Sequence, residues 1–261
     1  MQSGVRFNQL SVTYSGSRGA LKAVGPLTLD VAEGEFVALL GPSGCGKSTL
    51  LSVAAGLLAP TDGQVSIAGG ERRRGDIGIV FQQPTLLPWK TVRDNVLVPA
   101  TLMGLDAQRH GRRADELIEM VGLTGFGAAY PHELSGGMQQ RVAIARALIA
   151  DPKVLLLDEP FAALDALTRE QMTLELQTIW ERSRKTVILV THSIQEAVFM
   201  ADRIVVLSTR PARIIHIEPV DLPRPRGLDT MAAPEMAALS DRLRRLLGSQ
   251  PLAQSHQALP A

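Results

Sequence analysis

Gly41-Pro-Ser-Gly-Cys-Gly-Lys-Ser-Thr49 is the stretch whose reading decides the fold. It fits G-x-x-x-x-G-K-S, the P-loop pattern. An apolar strand-like run, Phe36 to Leu40, precedes it, and a helix-like run, Leu50 to Leu58, follows. The motif needs that setting. Glycines leave backbone N–H groups bare for phosphate oxygens, and the helix that follows aims its positive end at the anion. Lys47 is expected to meet the β- and γ-phosphates, and Ser48 to hold Mg²⁺.

Outward from this loop, the flanking strands read in two ways. Val5, Phe7, Leu10, Val12 and Tyr14 fall near a period of two, and Leu27, Leu29 and Val31 alternate again. They predict antiparallel strands with one buried face, a β-rich flank on a nucleotide core. Tyr14 fits either a base-stacking aromatic or an ordinary strand aromatic. Gln64–Ile67 and Ile77–Phe81 read as short strands, the second ending in Gln82-Gln83-Pro84, and Arg72-Arg73-Arg74 reads as a solvated loop.

From residue 84 to 134 helical patterning replaces β patterning. Ala114, Leu117, Ile118 and Val121 sit at i, i+3, i+4, i+7, and Gly122 ends that helix. A helical subdomain inserted between core strands is expected. Leu86, Leu87, Pro88 and Trp89 form an apolar cluster that suits either a loop anchor or a docking surface. Leu134-Ser-Gly-Gly-Met-Gln-Gln-Arg141 opens a helix with Ser135 as N-cap, and glycines beside it leave further N–H groups bare.

Val154 to Leu157 is continuously apolar, as a strand covered on both faces must be. Asp158 and Glu159 stand at its carboxyl end, where open α/β sheets place their sites. Asp165 lies in the loop beyond. Thr186 to Thr191 is another buried strand, ending at His192, and Ser193-Ile-Gln-Glu196 reads as a capping box. Ile204–Leu207 and Arg213–Ile217 read as a closing strand pair. Pro223 and Pro225 mark a linker, and a short amphipathic helix spans about residues 236–247 before a tail of disordered composition.

The whole chain bounds the function. It has 261 residues and a net charge of +1, so no global field favours nucleic acid. One cysteine, Cys45, excludes an internal disulfide and suits a reducing setting. Residues 1–10 lack a signal-peptide core, and no apolar run approaches the ~20 residues of a spanning helix. Membrane association is therefore expected only through a partner.

Taken in order, the P-loop, Gln82, Leu-Ser-Gly-Gly, Asp158-Glu159, Ala-Leu-Asp165 and His192 resemble the ATP-binding-cassette ATPases over about residues 5–217. The resemblance implies an α/β P-loop NTPase core with an antiparallel β flank and an inserted helical subdomain. Residues 1–227 would form the ATPase domain, with the helical subdomain at about 84–150, and residues 228–261 a tail. It also implies ATP and Mg²⁺ and a set of roles. Tyr14 would stack on adenine. Gly41, Ser43, Gly44, Cys45, Gly46, Lys47, Ser48 and Thr49 would hold the phosphates. Gln82 would reach Mg²⁺ and the attacking water, and Asp158 the Mg²⁺. Glu159 would be the general base and His192 the group on the γ-phosphate. Ser135, Gly136 and Gly137 would complete the site of a second copy, with Asp165 in the loop that crosses between copies. The resemblance puts Met138 where the family more often has Gln. A thiol at Cys45 would make activity sensitive to maleimides unless ATP protects it.

The wording of Gly78-Ile-Val-Phe-Gln-Gln-Pro-Thr-Leu-Leu-Pro-Trp89, Asp165-Ala-Leu-Thr-Arg169 and Glu196-Ala-Val-Phe-Met-Ala-Asp202 is similar to importer ATPases of the nitrate, sulfonate and taurine group. That similarity implies a homodimer on the cytoplasmic face of the plasma membrane, bound to a separate permease and fed by a solute-binding protein. A DNA-repair or translation ATPase, an exporter ATPase and a non-hydrolysing cassette are the alternatives. The chain has no room for the coiled coil or second cassette of the first, and Glu159 and His192 argue against the last.

Overall fold

The computed structural model describes residues 3–16, 19–70 and 72–248. Two sheets carry the chain. In the first, β1 (Ser3–Gly16) lies between β2 (Gly19–Ala32) and β4 (Asp62–Ile67), antiparallel to both. β2 begins well before the alternating run at Leu27. Its first residues are exposed, so they carry no apolar signal.

The second sheet has the order β5-β6-β7-β3-β8-β9. Its strands are β3 (Phe36–Leu40), β5 (Ile77–Val80), β6 (Val154–Asp158), β7 (Thr186–Thr191), β8 (Arg203–Leu207) and β9 (Ile214–Pro219). All pair in parallel except β9, which closes antiparallel on β8. Phe81 lies outside β5, partly exposed.

The central strands are apolar throughout because each face meets a different core. Phe36, Ala38 and Leu40 of β3 join Leu155 and Leu157 of β6 and Val187 and Leu189 of β7 on one face. Val37 and Leu39, with Leu156, Ile188 and Val190, pack on the other face under the small sheet and α1 (Lys47–Ala55). Period-two alternation of side chains produces both cores from one run of apolar residues.

Between β5 and β6 stand α2 (Val92–Leu102), α3 (Ala107–Met120) and α4 (Gly136–Leu148). At Gly78 a Cβ would come within 2.3 Å of the Ala147 carbonyl oxygen, so β5 and α4 touch main chain to main chain. Only glycine allows that approach. Then come α5 (Ala166–Ser183) and α6 (Ile194–Met200).

One segment differs from its sequence expectation. The proline segment after Asp221 is no free linker. Arg224 stacks on Trp180 at 4.1 Å and bonds Asp202 at 2.7 Å. Arg226, 5% exposed, donates to the carbonyls of Phe199 and Ala201 at the end of α6. Beyond α7 (Leu228–Met231), α8 (Pro234–Gly248) buries Met236, Leu239 and Leu243 in the main core. The expected disordered tail lies outside the described residues. Arg72, Arg73 and Arg74 are exposed, as a solvated loop should be, and the Arg72 guanidinium lies over Gly56 and reaches the Ala54 carbonyl at the end of α1. No helix of the described residues is long and apolar enough to cross a membrane.

Candidate nucleotide site

β3, β6 and β7 run parallel, so their carboxyl ends meet at one edge of the sheet. The phosphate loop leaves β3 there. Gly44 and Gly46 hold φ of 72° and 123°, a backbone that L side chains rarely adopt. A Cβ on Gly46 would stand 2.8 Å from the Ala23 carbonyl oxygen. Gly46 is the N-cap of α1 and offers no side-chain acceptor, so the first N–H groups of the helix are left for an external anion. Ser43 is exposed at the tip of the loop. Lys47 is 4% exposed, and its Nζ donates to the carbonyls of Gly41 and Pro42 at 2.8 and 2.9 Å.

Ser48 Oγ donates to Asp158 Oδ1 at 2.9 Å, joining the helix start to the end of β6. Burial pushes the Asp158 carboxyl up; the Ser48 bond opposes it and the neighbouring Glu159 adds to it. Glu159 holds a left-handed φ of 44°, strain typical of functional positions, and its N–H is bound by the Val190 carbonyl at 2.9 Å. This turn aims Glu159 Oε2 at His192 Nδ1, 3.0 Å away.

Tyr14 is partly exposed at the cleft and its hydroxyl lies 3.2 Å from Thr49 Oγ1. Gln82 is exposed just past β5, the neighbour of β6. Ser135 caps α4, accepting from the Met138 N–H at 3.3 Å. Gly137 sits where a Cβ would be 3.1 Å from Thr168 Cγ2. Asp165 caps α5 and takes the Thr168 N–H and hydroxyl at 3.0 and 2.7 Å, bonds that hold its carboxyl below the ordinary range. The helix start at Ser135–Gly137 and the Asp165 loop are thus neighbours. They do not line the cleft at Lys47 and Ser48.

Cys45 corrects an expectation. It is 2% exposed and turns into the core, and burial pushes its thiol up. The side chain is not at the phosphate face, and the maleimide sensitivity expected of it has no accessible thiol to act on. Arg210, from the β8–β9 turn, escaped sequence reading. Its Nε and Nη2 donate to the Gly44 carbonyl at 3.0 and 2.6 Å, and it lines the cleft with Tyr14 and Glu159. Only its place between two closing strands could have pointed to it. The Leu86–Trp89 cluster is anchored as a loop, one of its two expected readings. Buried Asn95 bonds the Leu87 N–H and the Leu87 and Lys90 carbonyls, while Trp89 is left 70% exposed.

A bare helix start beside a lysine, with a hydroxyl–carboxylate pair and a carboxylate–histidine pair at the adjoining strand ends, defines a P-loop nucleoside triphosphatase. The ABC transporter family matches residues 24–162. An uncharacterized ABC transporter ATP-binding protein of Methanocaldococcus jannaschii is 49% identical over 87% of this chain and 85% of its own. A taurine import ATP-binding protein of Rhizobium johnstonii is 43% identical over 94% and 97%. An aliphatic sulfonates import ATP-binding protein of Bacillus licheniformis is 50% identical over 77% and 78%. A dimeric ATP-binding cassette solved with ADP and phosphate superposes with a TM-score of 0.72 at 35% identity, covering 84% of this chain and 99% of that one. The chain belongs to the ABC transporter family and is an ATPase of that family.

Proposed function

We propose that this chain is the ATP-hydrolysing subunit of an importer for a small organic sulfonate. It would act as a head-to-tail homodimer under a separate membrane permease, on the cytoplasmic face. The two import relatives are named for the import of taurine and of aliphatic sulfonates, solutes that share a sulfonate group. The solute itself would be chosen by the permease and a solute-binding protein.

The observation that carries the reading is the pairing of Ser48 with Asp158 and of Glu159 with His192 at one sheet edge. Ser48 and Asp158 present hard oxygen donors, the chemistry Mg²⁺ prefers, and the raised Asp158 carboxyl is a group that a cation would settle. Gln82, at the next strand end, would complete that set. When bound, Mg²⁺ supplies positive charge at the phosphate oxygens.

The protein's own residues do the remaining work. Lys47 leaves the loop carbonyls for the phosphates. The N–H groups of Gly44 to Thr49 and the start of α1 stabilise the charge that develops on the γ-phosphate. Glu159 takes the proton of the attacking water. His192 holds Glu159 in position and meets the γ-phosphate. Tyr14 stacks on the base, with its hydroxyl anchored on Thr49. Ser135 to Gly137 of one copy, beside Asp165, would face the phosphate of the other. Residues 84–150 act as the helical subdomain, and exposed Trp89 on its braced loop receives the permease. Tighter ATP binding to the closed dimer than to the open one would drive closure, and hydrolysis would release it.

Glu159→Gln tests this. With ATP it should lose hydrolysis and elute as a stable dimer in size exclusion. Sustained hydrolysis or a persistent monomer overturns the reading. Strains lacking the chain should fail to take up taurine or alkanesulfonates.

A further inference from the structure

Glu196 is a buried carboxylate that the hydrolytic site does not use. The sequence reads it as the far half of a capping box, yet that bond is not made. Ser193 Oγ does accept from the Glu196 N–H at 3.2 Å. The Ser193 N–H, however, is taken by Thr191 Oγ1 at 3.0 Å. The Glu196 carboxylate is therefore free for another task. Its Oε2 accepts from the Thr191 hydroxyl at 2.6 Å, and its Oε1 lies 3.8 Å from Arg169 Nε.

Arg169, in the first turn of α5, uses its N–H groups elsewhere. Nε donates to the Phe161 carbonyl at 3.3 Å and Nη2 to the Leu164 carbonyl at 2.9 Å. Both carbonyls belong to the loop between Glu159 and Asp165. The attraction between guanidinium and carboxylate is a charge contact at this distance, not a hydrogen bond. Glu196 is 7% exposed there while 35% of the Arg169 side chain reaches solvent, and Met236 of α8 borders the same pocket, so water screens the contact only in part.

These contacts close a ring. Glu159 meets His192; Thr191, next to His192, meets Glu196; Glu196 faces Arg169; Arg169 holds the loop that returns to Glu159. We propose that Arg169 and Glu196 are positioning residues for hydrolysis, which tie the Phe161–Asp165 loop to the Thr191–Ser193 turn so that engagement of Asp165 by a second copy sets the placement of Glu159 and His192. A buried carboxylate is costly without a partner, and here the ring supplies the partner. The assignment rests on the proposed roles of Glu159, His192 and Asp165.

The test is steady-state ATP hydrolysis by the full chain carrying Arg169→Gln, Glu196→Gln, both together, or Arg169→Lys. Loss of placement by a fraction of an ångström should lower kcat by about tenfold in either single variant. KM for ATP should stay within about twofold, because neither residue touches the phosphate loop. The double variant should fall no further than the worse single, since the two act as one unit. Arg169→Lys keeps the charge but not the fork, and should recover part of the loss. Glu196→Gln retains an acceptor for Thr191, so it reports on the ring even where Arg169→Gln folds poorly. Unchanged kcat in Glu196→Gln, losses that multiply in the double variant, or kcat and KM moving in step overturn the proposal. Activity of Glu159→Gln tests the hydrolytic reading separately, because that variant leaves Arg169 and Glu196 intact.

Discussion

Replacing Gly46 with alanine puts one methyl group where the structure has no room. Its Cβ would lie 2.8 Å from the Ala23 carbonyl oxygen, 3.2 Å from Ala212 Cβ and 3.4 Å from Val24 Cγ2. The carbonyl cannot retreat easily, because it accepts the Ala212 N–H at 2.9 Å and the Ala212 carbonyl in turn accepts the Gly25 N–H at 2.9 Å. Backbone strain at a φ of 123° adds about 1–3 kcal/mol, and crowding adds about 1–3 kcal/mol more. A total of about 2–6 kcal/mol should lower Tm by roughly 5–20 °C in a chain of this size. The loop must shift to relieve the contact, and it carries the N–H groups meant for phosphate. Losing one hydrogen bond to a charged oxygen, about 1.5–3 kcal/mol, weakens ATP binding roughly 10- to 100-fold. Thermal melts and titration with a fluorescent ATP analogue measure the two effects. Gly69→Ala is the control: its φ is 73°, nothing lies within 4 Å of its Cβ, and about 1 kcal/mol of backbone strain is all it should show. If Gly46→Ala behaves like Gly69→Ala in both assays, the crowding argument is wrong.

Three further outcomes are expected. Cys45 in the folded chain should react with N-ethylmaleimide at least tenfold more slowly than a free thiol, with or without ATP, and still lag when pH is raised, because burial suppresses the thiolate; rapid labelling that ATP blocks would refute this. Arg210→Ala should raise KM for ATP several-fold with little change in kcat, since it frees the Gly44 carbonyl but leaves Glu159 and His192 alone; steady-state kinetics decide it. Arg226→Met should destabilise the fold by about 2–4 kcal/mol in urea melts, because carbonyls at the end of α6 lose a charged donor.

The core was legible because its physics is local. A strand buried on both faces must be apolar at every position, so Phe36–Leu40, Val154–Leu157 and Thr186–Thr191 announced themselves, and with them the strand ends that carry Ser48's partner Asp158 and His192. What stayed hidden is what depends on distant contacts. An arginine in sequence reads as surface, so neither Arg210 on the Gly44 carbonyl nor Arg226 beneath α6 could be foreseen. Cys45 sits among glycines that face phosphate, yet the loop turns its side chain inward. Glu196 had the right spacing for a capping box, but the Thr191 hydroxyl occupied the N–H it needed and took its carboxylate.

The contact at Gly78 has a mechanical consequence. With no side chain between β5 and α4 at Gly78, the two cannot roll there on a soft cushion of methyl groups, and the Ala147 end of α4 would act as a fulcrum. Ser135 lies twelve residues toward the other end of the helix, about 18 Å along its axis. A tilt of roughly 10° about that fulcrum would then sweep Ser135 through about 3 Å, the width of a hydrogen bond made or lost, while β5 and the Gln82 beyond it barely stir.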